Sequence, residues 1–186
     1  MGDAARKKAT RADLDALPAN EVGEILFGVL WSHPRPRSTH ASTTGELHTE
    51  LNSRFRHGRG GPGGWIILIE PELALSEDIL IPDLAAWRRS RMPTLPDAAN
   101  LELAPDWVCE VLSPSTAKID RTDKMTIYGR EGVKHVWHVD PTARTLEIFR
   151  LDGPVYVRVA AHRDEAVIRA EPFDAVELDL SLLWQR

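Results

Sequence analysis

The segment Trp107-Val-Cys-Glu-Val-Leu112 constrains this chain more than any other. Apolar residues on both sides of a single carboxylate read as a central strand covered on both faces. Glu110 therefore needs a partner, because a buried charge must be paired, neutralised by a proton or bound to a metal. A second carboxylate, Asp83, follows Leu80-Ile-Pro82 inside the apolar stretch from Ile79 to Trp87, read as one strand. A cation held between Asp83 and Glu110 relieves both charges at once. All-oxygen ligation of this kind suits Mg²⁺, with Mn²⁺ as a substitute, since Mg²⁺ keeps several waters and needs only one or two protein carboxylates. Glu70 ends the neighbouring strand, Trp65 to Glu70, and is a third candidate for the metal site. The plainer reading of Glu70 is a surface carboxylate at a strand end.

The strand of Glu110 runs into a polar turn, Ser113-Pro-Ser-Thr-Ala-Lys118, and then a helical segment from Ala117 to Arg130 that Gly132 can terminate. Side chains alternate along a strand, so a lysine meant to accompany Glu110 would stand at position 112, which is Leu112. The nearest lysines are Lys118 in the turn and Lys124 on the helix. Lys124 lies four residues after Asp120 and four before Tyr128, which puts all three on one helical face.

The rest of the chain frames these elements. Thr10 caps a short helix that ends before Pro18. Glu24 to Trp31 reads as a strand pair turning at Phe27-Gly28. A helix runs from Ser38 or Thr39 to His57, with Leu47, Leu51 and Phe55 on its apolar face. Gly58 to Gly64 is a loop, and it lacks the Lys-Ser or Lys-Thr of a phosphate-binding glycine motif. Glu72 to Ser76 reads as an extension of the strand before it, and Arg88 to Ala104 as a proline-interrupted loop. His135 to Val139 and Thr145 to Arg150 pair as a hairpin, followed by further strands. The sum is a mixed α/β fold of the α+β kind: a central mixed sheet flanked by two main helices, with a β-rich C-terminal third. Residues 1–9 read as a polar tail and 10–186 as one domain.

Composition narrows the function classes. At 42% hydrophobic and 27% charged the chain is an ordinary globular protein and not a disordered one. Its longest apolar run, Trp65 to Ile69, is too short to span a bilayer, so no membrane partner is expected. The single cysteine, Cys109, excludes an internal disulfide framework and fits a reducing cytoplasm. A net charge of −5 argues against coating nucleic acid by bulk electrostatics, yet leaves room for a local basic groove. Arginines cluster at 35 and 37, at 54, 56 and 59, and at 88, 89 and 91. Arg54, Arg56, Arg88, Arg89 and Lys118 are candidate DNA contacts; the plain alternative is that they solvate loops and helix ends. The histidines form no His-Glu-x-x-His zinc pattern, and His135 and His138 fall on opposite faces of their strand. There is no Gly-x-Ser-x-Gly elbow for a serine nucleophile.

Pro82-Asp83, Glu110-Val-Leu-Ser-Pro-Ser-Thr116, Asp120, Lys124, Tyr128, Gly132-Val133 and Val136-Trp-His-Val-Asp140 together resemble the Uma-type restriction endonuclease family, within the wider PD-(D/E)xK nucleases. The similarity continues more faintly through Glu24-Ile-Leu-Phe-Gly28, His40 and the helix after it. The resemblance implies a restriction-endonuclease-like core and Mg²⁺-dependent hydrolysis of DNA phosphodiester bonds. It makes Asp83 and Glu110 metal ligands and gives Lys124 the role of the displaced motif lysine. Asp120, Tyr128 and His40 become supporting residues. Leu112 departs from the motif and leaves a second reading: an inactive nucleic-acid-binding or assembly module on the same fold. A homodimer would let two sites cut two strands, although no sequence feature demands one.

Overall fold

The structure is a computed structural model that describes residues 8–185. Most of the expected N-terminal tail lies outside those residues; Ala9 already donates its N–H to Gly28 O at 2.8 Å. The chain begins with α1 (Arg11–Asp15). At its start the Asp13 carboxylate accepts from Thr10 N at 2.7 Å and Thr10 Oγ1 at 2.6 Å, as a capping residue followed three places later by an acid predicts.

Strands β1 (Glu21–Leu26) and β2 (Val29–Pro34) form the expected hairpin. Its turn residues Phe27 and Gly28 both have positive φ, 53° and 73°, the twist a two-residue hairpin requires. Asp78 Oδ1 accepts from Phe27 N at 2.5 Å and holds a non-glycine residue in that conformation. Helix α2 (Ser38–Leu51) continues as a π-helical turn, Asn52–Arg56.

The stretch from Ile79 to Trp87 is not the single strand the sequence suggested. It divides at Ile81-Pro82-Asp83 into β5 (Asp78–Leu80) and β6 (Leu84–Arg88), which belong to different sheets. Pro82 offers no N–H to a ladder, so the chain leaves one sheet there and enters the next. The stretch after Glu70 likewise does not extend β3 (Trp65–Ile69). Glu70 has φ 45°, and the chain turns into β4 (Leu73–Leu75), the partner of β5.

The result is a four-stranded antiparallel sheet, ordered β2-β1-β5-β4, beside a six-stranded mixed sheet. The larger sheet is ordered β10-β9-β8-β7-β6-β3, with β7 (Trp107–Val111), β8 (His135–Asp140), β9 (Thr145–Asp152) and β10 (Val155–Arg163). Only β7 and β8 in it run parallel, because the crossover between them is helical: α3 (Ala117–Ile119), a π-helical turn (Asp120–Lys124) and α4 (Met125–Arg130). A two-stranded ribbon of β11 (Val167–Ile168) and β12 (Leu178–Asp179) precedes a 3₁₀ turn, Leu180–Trp184.

The six-stranded sheet is covered on both faces. Leu47, Leu51 and Phe55 of the long helix pack with Trp107, Cys109, Trp137 and Phe173 on one side. Ile127 and Tyr128 of α4 pack with Leu26, Leu80, Val108 and Val136 on the other. Cys109 is buried among apolar neighbours, as the sequence indicated. No helix of the described residues is long and apolar enough to cross a membrane.

Candidate active site

The alternation of β7 decides where Glu110 points. Trp107, Cys109 and Val111 join the helix α2 side of the sheet, while Val108 joins the α4 side. Glu110, two residues after Val108, faces the helical crossover. Tyr128 OH donates to Glu110 Oε1 at 2.6 Å, and Lys124 Nζ lies 3.3 Å from the same oxygen and 3.4 Å from Oε2. Lys124 is the last residue of the π-helical turn, a local unwinding often met at functional sites.

The ammonium of Lys124 is surrounded. Besides Glu110 it lies 3.3 Å from Asp120 Oδ1, across the i,i+4 spacing the sequence suggested, and 3.0 Å from Glu24 Oε1. Glu24 was not among the sequence candidates, although the signal was the same as for Glu110: a carboxylate in a strand beside Ile25 and Leu26. It is buried, and its Oε1 also accepts from Ile81 N at 2.7 Å, at the point where the chain changes sheets. Three buried acids thus share one buried base. Burial and the neighbouring Asp120, Asp83 and Glu24 carboxylates push the Glu110 carboxyl well above its usual range, against the opposing pull of Lys124. Burial would discharge Lys124, but Glu110, Glu24 and Asp120 prevail and raise its pKa. Tyr128 is raised too, first by burial and then by Glu110.

Asp83 approaches from the sheet junction. Its Oδ2 accepts from Val111 N at 2.7 Å, next to Glu110, and its Oδ1 lies 3.1 Å from His40 Nε2 on α2. Burial would lower the His40 pKa, but the hydrogen bond and charge of Asp83 raise it overall. Asp83, Glu110, Asp120, Lys124 and His40 all border one cavity of about 430 Å³. Leu112, at the place of the expected lysine, is buried at its wall and donates its N–H to Val139 O at 2.7 Å. Glu70 also borders the cavity, and its N–H donates to Asp83 O at 3.0 Å. Among the described residues, however, no three His, Cys, Asp or Glu side chains are arranged to hold a metal ion, so Glu70 does not complete a trio with Asp83 and Glu110.

The basic candidates do not border the cavity, and most have other work. Arg54 pairs with Glu50, and Arg56 donates to Ile67 O at 3.2 Å. Arg88 stacks 4.4 Å from the Trp65 ring centroid, and Arg89 donates to Pro93 O at 3.2 Å. Lys118 is exposed on α3. The cations at the cavity mouth are Arg35 and Arg37, from the first of the three sequence clusters. His135 and His138 stay apart: His135 lies 3.7 Å from Glu171, and His138 packs against Phe149.

The fold is that of an α+β protein with acids and a lysine gathered at the junction of its sheets. It is shared with a crystal structure from Anabaena variabilis ATCC 29413, titled a "putative nuclease belonging to DUF820". The two are 21% identical over 93% of this chain and 96% of that one, with a TM-score of 0.75. The chain belongs to the Uma2 family, described as "Putative restriction endonuclease", whose model matches residues 12–182. Comparison with curated proteins gave no match.

Proposed function

We propose that this chain is a Mg²⁺-dependent nuclease that hydrolyses DNA phosphodiester bonds in the cavity bordered by Asp83, Glu110 and Lys124. The observation that carries the reading is the charge balance at Lys124: Glu24, Glu110 and Asp120 meet one ammonium, and Asp83 stands beside them. The surplus of negative charge on a solvent-connected cavity suits a divalent cation. An ion of the Mg²⁺ kind would be held by Asp83 and Glu110 with water completing its shell, so a third protein ligand is not required. When bound, such an ion polarises a phosphoryl oxygen and makes a water nucleophilic near neutral pH.

The residues of this chain supply the remainder. Lys124 offsets the negative charge that grows on the phosphate as it is attacked. Its raised pKa keeps it protonated for that task, so it is not a general base. Tyr128 and His40 orient Glu110 and Asp83 through their hydrogen bonds. Glu24 and Asp120 fix the ammonium from two further sides. The test is cleavage of plasmid and linear DNA in Mg²⁺ or Mn²⁺, comparing the native chain with Glu110→Gln. Cleavage confined to the native chain is expected; equal cleavage by both would refute the assignment.

One observation favours a second reading, an inactive nucleic-acid-binding or assembly module. The motif position is Leu112, and Lys124 is already matched by three acids within 3.4 Å. That module would retain DNA without cutting it, and Mg²⁺ would leave its melting temperature unchanged.

A further inference from the structure

We infer that the cavity, read as the nuclease site proposed above, admits an unpaired DNA strand and not an intact duplex. The reacting groups are recessed: Glu110 is 2% exposed and Lys124 3%. In an unbroken duplex each phosphate sits on a rod with its bases stacked and paired behind it. To reach groups this deep, the nucleotide must leave the stack, an expense that a single strand escapes. The volume of about 430 Å³ lies low in the roughly 300–1,000 Å³ range of pockets that enclose one small molecule, the scale of a nucleotide and not of a helix. Pro34, Pro36, Pro114 and Pro141 all border it, and their fixed φ angles stiffen the rim against widening.

A platform for a base lies beside this opening. In the β1–β2 register Val22 faces His33 and Glu24 faces Trp31, and directly opposed residues of an antiparallel pair share one face of the sheet. Val22 and His33 border the cavity, and Glu24 holds Lys124. Trp31 therefore stands on the same face, one step outward from Glu24. It is 39% exposed and lies on a strand whose His33 borders the cavity, just before Arg35 and Arg37, which border it too. Aromatic rings that stack on bases beside a positively charged groove are the means by which single strands are bound without regard to sequence. A base stacked within a duplex offers no free face to Trp31.

The experiment measures binding and cutting separately. Fluorescence anisotropy of a labelled oligonucleotide and of its duplex, with the native chain in Ca²⁺, a hard cation that takes the same oxygen ligands, should give the single strand an advantage of about tenfold or more. Trp31→Ala should remove about tenfold of single-strand affinity, with an unchanged circular dichroism spectrum showing that the fold is kept. Equal affinity for the two forms, no binding of either, or unchanged single-strand affinity in Trp31→Ala each overturns the inference. Cutting of single-stranded and covalently closed duplex circles in Mg²⁺ then separates the two claims. Equal rates on both circles would keep the nuclease assignment and overturn the strand preference. Preferential binding of the single strand with no cutting of either circle would keep the preference and reject the nuclease.

Discussion

Tyr128 OH donates to Glu110 Oε1 at 2.6 Å, joining a residue of the helical crossover to the strand that the crossover leaves. Both are buried, Tyr128 completely, so the phenol has no water to turn to if the bond is lost. Tyr128→Phe keeps the ring in its apolar bed and deletes only the donor. A hydrogen bond to a charged group contributes about 1.5–3 kcal/mol, and a loss of that order is expected in urea denaturation. If the proposed site is correct, DNA cleavage falls as well.

Lys124→Met has a larger effect. The substitution leaves Glu24, Glu110 and Asp120 without their shared cation, and breaking a buried ion pair from one side costs roughly 3–5 kcal/mol. Burial and the neighbouring acids already push the Glu110 carboxyl up in the folded chain, and the loss of Lys124 pushes it further. A carboxyl whose pKa is raised by folding stabilises at low pH, and the benefit disappears as pH rises through the folded value. The variant should therefore recover part of its deficit at about pH 5 relative to about pH 8, as read from denaturation midpoints.

His138 gives the opposite dependence. Burial first, and then Arg121, lower its pKa from 6.5 to about 4, and neither ring nitrogen has a hydrogen-bond partner. The folded chain resists charging a ring that the unfolded chain charges readily. Its stabilisation is thus complete above about pH 6.5 and drains away as pH falls through about 4. A displacement of that size corresponds to about 3 kcal/mol. His138→Gln should flatten stability across this interval, which denaturation at several acid pH values will measure.

The metal assignment has its own thermal signature. An ion that binds only the folded chain adds about 2.7 kcal/mol at a hundredfold excess over its Kd. Mg²⁺ or Mn²⁺ should raise the melting temperature of the native chain, and the increment should vanish in Asp83→Asn and in Glu110→Gln. An equal increment in the native chain and both variants would place the ion elsewhere.

Much of this arrangement was legible from local chemistry. Glu110 inside an apolar strand demanded a partner, and the spacing Asp120, Lys124, Tyr128 put three polar groups on one helical face, where Lys124 and Tyr128 now meet it and Asp120 holds Lys124. Glu24 passed unnoticed because its hairpin read as a self-contained strand pair. The register of that hairpin against β5, through Ile25 and Ile79, is a long-range pairing that no local pattern announces. The division at Pro82 was missed for a related reason. Hydrophobicity runs unbroken from Ile79 to Trp87 apart from Pro82 and Asp83, and two short strands in separate sheets share the composition of one long strand. The arginines illustrate a different limit: a cluster in sequence says nothing of whether a carboxylate, a carbonyl or a ring already occupies each guanidinium.

The crossing at Ile81-Pro82-Asp83 also makes the acid and base assembly a gauge of layer alignment. Glu24 travels with the smaller sheet and Glu110 with the larger, and Lys124 touches both. A slip of an ångström or two between the layers would exceed hydrogen-bond reach while each ladder stayed zipped. Mild heating should therefore silence the proposed DNA cleavage while the β content of the circular dichroism spectrum is still intact.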